Sequence, residues 1–387
     1  MESFFVCENC GNSNKKYIGI RNGIKYCRLC LEFSGKKVKY VKNNPINAKP
    51  LLNYELTNEQ KEISLKVTTN FIKNKNTLIY AVCGAGKTEL VYDVISYALK
   101  KGMQVGFTIP RREVVIELAH RIKSTFPKAK VICVYGGQTE ILEGNIIVLT
   151  THQLFRYPNF FDLLIFDEID AFPYKGNELL KIMFKKSIRG NYVIMSATPS
   201  KEIIKEIKNS GQILTLFTRF HLYEIPEPKI YYGFLFTKII ITLYKTHKYI
   251  KNHKPVLIFA PTIGIATYLF EIIKKFIKNG GLVHSKVKSN SSIINDFKKG
   301  KLNYLVTTSV LERGITIKGL QVIIFNADHD IYDKETLVQI AGRVGRKKEE
   351  PTGDIIFLIT RITTAISASM IDIREKNEYL HSVYGTN

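Results

Sequence analysis

Cys7 and Cys10, and again Cys27 and Cys30, are separated by two residues, a spacing that lets four thiolates converge on one tetrahedral cation. Each pair suits a tight knuckle, and Gly11 and Gly23 suit the bends. Disulfides are the alternative, but a reducing compartment disfavours them, and a structural zinc (Zn2+) is expected. A segment this small cannot bury enough surface to fold unaided, so the metal would supply much of its stability. Lys15, Lys16, Arg21, Lys25 and Arg28 surround the pairs, the basic run GKKVKYVKNN follows, and Tyr17, Tyr26 and Tyr40 are interleaved. Basic groups suit phosphates and rings suit bases, while tyrosines in a ribbon equally build its small core.

A second chemistry lies in VCGAGKTE, where glycines let the main chain approach phosphate oxygens. Cys83, Gly84, Ala85 and Gly86 form the cradle, Lys87 can reach the β and γ groups, Thr88 can hold magnesium (Mg2+), and Glu89 closes the stretch. The third candidate is FDLLIFDEIDAFPY. Its apolar run ends in Asp167, which can hold the magnesium shell, and Glu168, which can polarise an attacking water. An acidic strand end by itself is a solvated turn; a phosphate loop upstream favours catalysis.

These groups need elements to aim them. NTLIYAVCGAGKTELVYDVISYAL reads as an apolar strand, a turn and an amphipathic helix, the setting a phosphate loop requires. After FHLYEIPEPKI, whose Pro226 and Pro228 suggest an extended linker, strand and helix patterns resume without a second phosphate loop. VLIFAPT, GLVHS, NYLVTTSV, QVIIFNA and GDIIFLIT are short apolar runs between helical patterns, as buried parallel strands should be. The most apolar stretch, from Val256, carries Pro261 and Glu271 and reads as strand, turn and helix rather than a membrane span.

Length and composition bound the whole. At 387 residues and 45% hydrophobic content the chain can build two medium cores and something smaller. Fifty-seven Lys and Arg against 34 Asp and Glu leave a formal charge of +23, which attracts polyanions over a Debye length of roughly 10 Å. Nucleic acid is the partner this favours, although charge alone would also serve solubility. The N-terminus lacks a secretory pattern, so the chain is expected in the cytoplasm.

The loop, written A-x-x-G-x-G-K-T from Ala81, resembles that of superfamily 2 helicases, and DEID resembles their DEAD-type box. Further matches follow, and the resemblance covers roughly residues 54 to 360. SAT, with Ser196 and Thr198, resembles the motif that couples nucleotide state to nucleic-acid binding, and QIAGRVGR resembles the last helicase motif. The resemblance implies that Arg343 and Arg346, expected on one helix face, act as arginine fingers on the γ-phosphate, with Gln339 in the coupling. Arg111, Thr150 and Thr151 stand where the family grips the strand, or cap helices. LVTTSVLERGITIKGL resembles motif V and adds Thr307 and Thr308 on the strand and Gly314 at the nucleotide. Gln60 matches the family's adenine reader, yet Thr57 and Gln60 also make a capping box with no ligand at all.

With the four-Cys site, these motifs together resemble the ComFA family of competence proteins, which implies an ATP-driven motor on single-stranded DNA beside a membrane DNA-uptake channel, at the inner face of the cell membrane. The expected fold is α/β, two RecA-like parallel-sheet lobes preceded by a small zinc ribbon: ribbon and basic linker over 1–48, lobe 1 over 49–222, lobe 2 over 223–387. A duplex-unwinding repair or restart helicase, an RNA helicase and a non-catalytic zinc-dependent binder stand as alternatives.

Overall fold

The N-terminal segment is a hairpin: β1 (Ile18–Arg21) pairs antiparallel with β2 (Ile24–Cys27) across Asn22 and Gly23, both at positive φ. Asn-Gly is the pair that a two-residue type I′ turn selects. The structure, a computed structural model, describes residues 5–31, 33, 35–170, 174, 176–287, 290–308 and 317–385. Its chain divides into one unit of Met1–Ala81 with Gly86–Leu216 and a second of Val82–Ala85 with Phe217–Asn387.

The basic run after the hairpin is an extended strap laid along the first unit. Val38 N–H donates to Arg156 O (2.7 Å), Asn43 N–H to Gly102 O (3.0 Å), Ile46 N–H to Leu99 O (2.9 Å) and Leu51 N–H to Thr125 O (2.9 Å). Side chains return the grip. Gln104 Nε2 donates to Val41 O and Ser96 Oγ to Ala48 O, each at 2.6 Å, and the Arg189 guanidinium lies 3.9 Å over the Tyr40 ring. Gly102, at φ +67, is required there: a Cβ would stand 2.3 Å from Asn43 O.

Among the described residues, five helices and seven strands complete the first unit. In chain order they are α1 (Asn58–Ile72), β3 (Asn76–Ala81), α2 (Tyr92–Lys100), β4 (Val105–Ile109), α3 (Arg112–Thr125), β5 (Val131–Val134), β6 (Ile146–Thr150), β7 (Phe161–Asp167), α4 (Glu178–Ser187), β8 (Ile188–Ser196), α5 (Lys201–Ser210) and β9 (Gly211–Leu216). The sheet order is β5-β6-β4-β7-β8-β3-β9, and every pairing is parallel. Helices on both faces leave no polar face for the inner strands, so β4 and β6 are buried at every residue. Phe160, Phe161, Phe166 and Phe184 are fully buried in this core, each worth about 1.5–3 kcal/mol.

The second unit runs β10 (Lys229–Tyr232), α6 (Leu235–Lys251), β11 (Val256–Phe259), α7 (Ile263–Phe276), β12 (Gly280–Val283), α8 (Asn290–Lys298), β13 (Tyr304–Thr307), β14 (Gln321–Phe325), α9 (Lys334–Ala341), β15 (Ile355–Ile359) and α10 (Thr364–Tyr384). Its order is β10-β15-β14-β11-β13-β12, again all parallel. The five apolar runs are strands β11 to β15, as expected, and the stretch from Val256 divides into β11 and α7. Among the described residues no helix is long and apolar enough to cross a membrane. One strand escaped the sequence reading: β10 begins inside the expected linker, short, at the sheet edge and nowhere fully buried, so it carries no apolar run.

Candidate active site and metal centre

Parallel strands deliver their C-terminal ends to one edge, and the candidate residues of the first unit are spaced along it. β3 ends at Ala81 and enters the phosphate loop, where Gly84 (φ +87) and Gly86 (φ +79) adopt a backbone that other residues rarely take. Lys87 and Thr88 are half-buried, and Lys87 Nζ donates to Ala81 O (3.2 Å), so it lies back along the loop. The helix after the loop starts later than the sequence suggests. A 3-10 turn, Glu89–Val91, precedes α2, and its Glu89 Oε1 accepts from the Tyr54 hydroxyl (2.6 Å) and from Arg121. Burial and Glu89 raise the Tyr54 hydroxyl above its ordinary range, so it remains the donor.

Gln60 serves the cap. Its Oε1 accepts from Thr57 N–H (2.9 Å) while Thr57 Oγ1 accepts from Gln60 N–H (3.2 Å), closing the capping box of α1. A Cβ on Gly86 would stand 2.6 Å from Gln60 Nε2, so the same side chain also lies against the phosphate loop.

β7 ends at Asp167, and Glu168 follows with φ +58, a left-handed backbone that costs a non-glycine residue about 1–2 kcal/mol. Two acceptors hold it there: Glu168 N–H donates to Asp167 Oδ1 (2.9 Å) and to Met195 O (3.1 Å), the latter on the neighbouring strand β8. Asp170, the last acid of DEID, carries a connection that the sequence reading missed. It is buried, with Ser196 Oγ donating to Oδ1 and Thr198 Oγ1 to Oδ2, both at 2.8 Å. Its place three residues after Asp167 was the available signal. Ala171, Phe172 and Pro173 of the same motif lie outside the described residues.

At the ends of β4 and β6, Arg111 and Thr150 occupy the N-cap positions of α3 and of the 3-10 turn Thr151–Arg156, yet neither side chain makes a capping bond. Thr150 and Thr151 are buried, as are Thr307 at the end of β13 and Thr308 beside it. Gln339 is buried in α9. Arg343 and Arg346 do not share a helix face as expected. α9 stops at Ala341, Gly342 caps it and Gly345 turns the chain at φ +69, so Arg343 sits in the following turn and Arg346 just beyond it, with Arg346 Nε donating back to Gly342 O (2.9 Å). Gly314 and the rest of LERGIT lie outside the described residues.

The four cysteines converge. Cys7 and Cys30 Sγ are 3.8 Å apart, Cys10 and Cys27 Sγ 3.7 Å, and all four lie within 4.8 Å of one another. Sulfurs at the corners of a tetrahedron about 2.3 Å from its centre are roughly 3.8 Å apart, so the donor set fits zinc, and none of the four is in a disulfide. Burial, reinforced by the neighbouring Cys10 and Cys7, raises the Cys30 thiol above its ordinary range. The knuckles pack against Leu179 of α4, and Lys186 Nζ donates to Glu8 O (2.7 Å).

Two parallel α/β lobes, with a phosphate loop, paired acids at a strand end and a late arginine pair, define an ATPase of the superfamily 2 helicase type. Residues 53–201 match the family described as type III restriction enzyme, res subunit, and residues 238–348 the helicase conserved C-terminal domain. The fold is RecA-like: yeast Dbp5 bound to RNA and ADP BeF3 superposes with a TM-score of 0.63 at 15% identity, over 83% of this chain and 92% of that one. The chain belongs to the ComFA family of competence proteins. It is 32% identical to Competence protein ComFA of Bacillus subtilis, over 99% of this chain and 88% of the relative, and 31% identical to that of Streptococcus pneumoniae, over 96% and 90%.

Proposed function

We propose that this protein is an ATP-driven motor that moves along single-stranded DNA and powers DNA uptake in competence. What supports the motor is Asp170, whose carboxylate ties the strand end bearing the hydrolytic acids to Ser196 and Thr198. What supports DNA and competence is the near full-length similarity to two competence proteins. In this reading Gly84, Gly86 and Lys87 hold the triphosphate, Thr88 and Asp167 hold magnesium, Glu168 activates water, and Arg343 and Arg346 meet the charge that develops on the γ-phosphate. Magnesium would neutralise phosphate charge. Arg111, Thr150, Thr151, Thr307 and Thr308 line the path of the strand, and the protein works in the cytoplasm against a membrane channel.

ATP hydrolysis compared without nucleic acid and with single-stranded DNA, duplex DNA and RNA tests the substrate. Streptavidin displacement from an end-labelled oligonucleotide, set against duplex separation at equal turnover, tests the motion. Stimulation by single-stranded DNA with displacement outrunning separation is expected. Processive unwinding without displacement would favour a restart helicase, and stimulation by RNA alone would overturn the assignment.

The same reading gives the ribbon one tightly held zinc, which would stabilise the fold and take no part in hydrolysis. Cys27→Ser is expected to lower the zinc content measured by elemental analysis and to loosen the ribbon while both lobes keep their folded spectrum. Retention of a full equivalent in that variant would remove zinc from the assignment.

A further inference from the structure

An open groove of 1210 Å³ runs between the first cysteine knuckle, the hairpin and the head of the strap, and its described lining lies wholly within the first unit. The cysteine site takes up only a corner of it, since four sulfurs within 4.8 Å of one another leave room for a single ion. Small-molecule sites occupy roughly 300–1,000 Å³, so this groove suits a longer ligand. Both of its walls are held. On the hairpin, Gly19 pairs with Tyr26 and Arg21 with Ile24, so these four residues share one face. Gly19 has no side chain to lift the Tyr26 ring, which lies across it: a Cβ there would stand 2.4 Å from Tyr26 Cζ. On the strap side, Phe33 is buried in the core of the unit and stacked on His152 with ring centres 6.0 Å apart, and Arg156 Nη1 donates to Lys36 O (3.1 Å).

The lining carries two chemistries. Tyr26, Ile24 and Leu31 supply ring and aliphatic surface, and Ile24 is 72% exposed, so it takes no part in the core of the ribbon. Arg21, Lys25 and Lys37 bring positive charge against one carboxylate, Glu8, among the described residues of the lining. All three cations are exposed, and Arg21 and Lys37 join no ion pair among the described residues. The centre of a protein interface is depleted of charge, whereas apolar surface set between cations fits a strand whose bases and phosphates alternate. A duplex offers the phosphates but keeps its bases stacked on one another.

We propose that this groove is a binding site for a single nucleic-acid strand, in which bases lie against Tyr26 and Ile24 while phosphates meet Arg21, Lys25 and Lys37. The inference rests on the reading of the chain as a motor on a strand, and it adds a hold outside both lobes. The site is sequence-tolerant, because every base has a face to stack and every phosphate a charge.

The test uses the full-length protein with labelled oligothymidylate and oligouridylate, whose binding is followed by fluorescence anisotropy over a series of salt concentrations, with melting temperature as the check of folding. Tyr26→Leu keeps apolar volume and removes the ring, so strand affinity is expected to fall at least about fivefold, the lower scale of one stacked base, and Tyr26→Phe to restore it. A duplex of the same length should lose little in Tyr26→Leu. Arg21→Ala with Lys37→Ala is expected to reduce the slope of log affinity against log salt by about 1.4, two phosphates at about 0.7 each. Variants with the parent's melting temperature, affinity and slope would overturn the proposal and leave the groove to a protein ligand. Should they fail to fold, crosslinking the unaltered protein to an oligothymidylate that carries photoreactive thiothymidine tests the same point: crosslinked peptides from residues 5–37 support the groove, and crosslinks only elsewhere refute it. A parent that binds neither strand would refute the motor reading and the groove together, whereas strand binding unchanged in the folded variants refutes the groove alone.

Discussion

Arg346→Ala is expected to bind ATP and single-stranded DNA yet hydrolyse ATP at least about a thousandfold more slowly, the scale on which a missing arginine finger is felt. Glu168→Gln should show a comparable block, because the amide preserves the shape of the site and removes the group that takes a proton from water. Lys87→Ala differs in kind, weakening nucleotide engagement itself. Steady-state turnover together with equilibrium binding of a fluorescent ATP analogue distinguishes the three. Near-normal turnover in Arg346→Ala or Glu168→Gln would place the hydrolytic centre elsewhere. The left-handed backbone of Glu168, held by hydrogen bonds to Asp167 and Met195, agrees with the assignment, since strained residues over-determined by their surroundings cluster at active sites.

The next largest effect is expected at Asp170. Removing both hydroxyls, as Ser196→Ala with Thr198→Val, leaves a buried carboxylate without two of its donors, a loss of roughly 3 kcal/mol or more. Thermal unfolding should shift down by roughly 10 °C. Adding Asp170→Ala should recover part of that loss, because the uncompensated charge goes too. The single change Thr198→Val isolates the functional part: ATP hydrolysis is expected to stay within several fold of the parent while streptavidin displacement fails. Equal loss of hydrolysis and displacement in that variant would mean that Thr198 belongs to the chemistry rather than to its transmission.

Most of the scaffold was legible because it depends on local pattern. A strand buried on both faces must be apolar throughout, so FDLLIFD and QVIIF announce themselves, and the glycines of the phosphate loop and the Cys-x-x-Cys pairs answer to geometry within a few residues. What escaped depends on partners distant in sequence. Asp170 looks like one more exposed acid until β8 brings Ser196 and Thr198 beside it. Arg219 is one of 57 basic residues until Val344 and Gly345 close over it. The spacing of Arg343 and Arg346 implied a helix, but Gly342 and Gly345 end α9 first. Gln60 presented two readings in the sequence; its amide oxygen is bonded within the cap, and its amide nitrogen lies against Gly86.

The strap that joins the cysteine hairpin to α1 has a mechanical consequence. As a free chain of 27 residues, 31–57, it would be an entropic spring with a root-mean-square span of roughly 30 Å, letting the ribbon swing and absorbing any pull on it. Laid down instead against Arg156, Gly102, Leu99 and Thr125, it has no slack to take up. A tug on the ribbon is resisted in shear by several main-chain bonds at once, so the hairpin behaves as a fixed outrigger of the first lobe, and whatever it grips travels with that lobe.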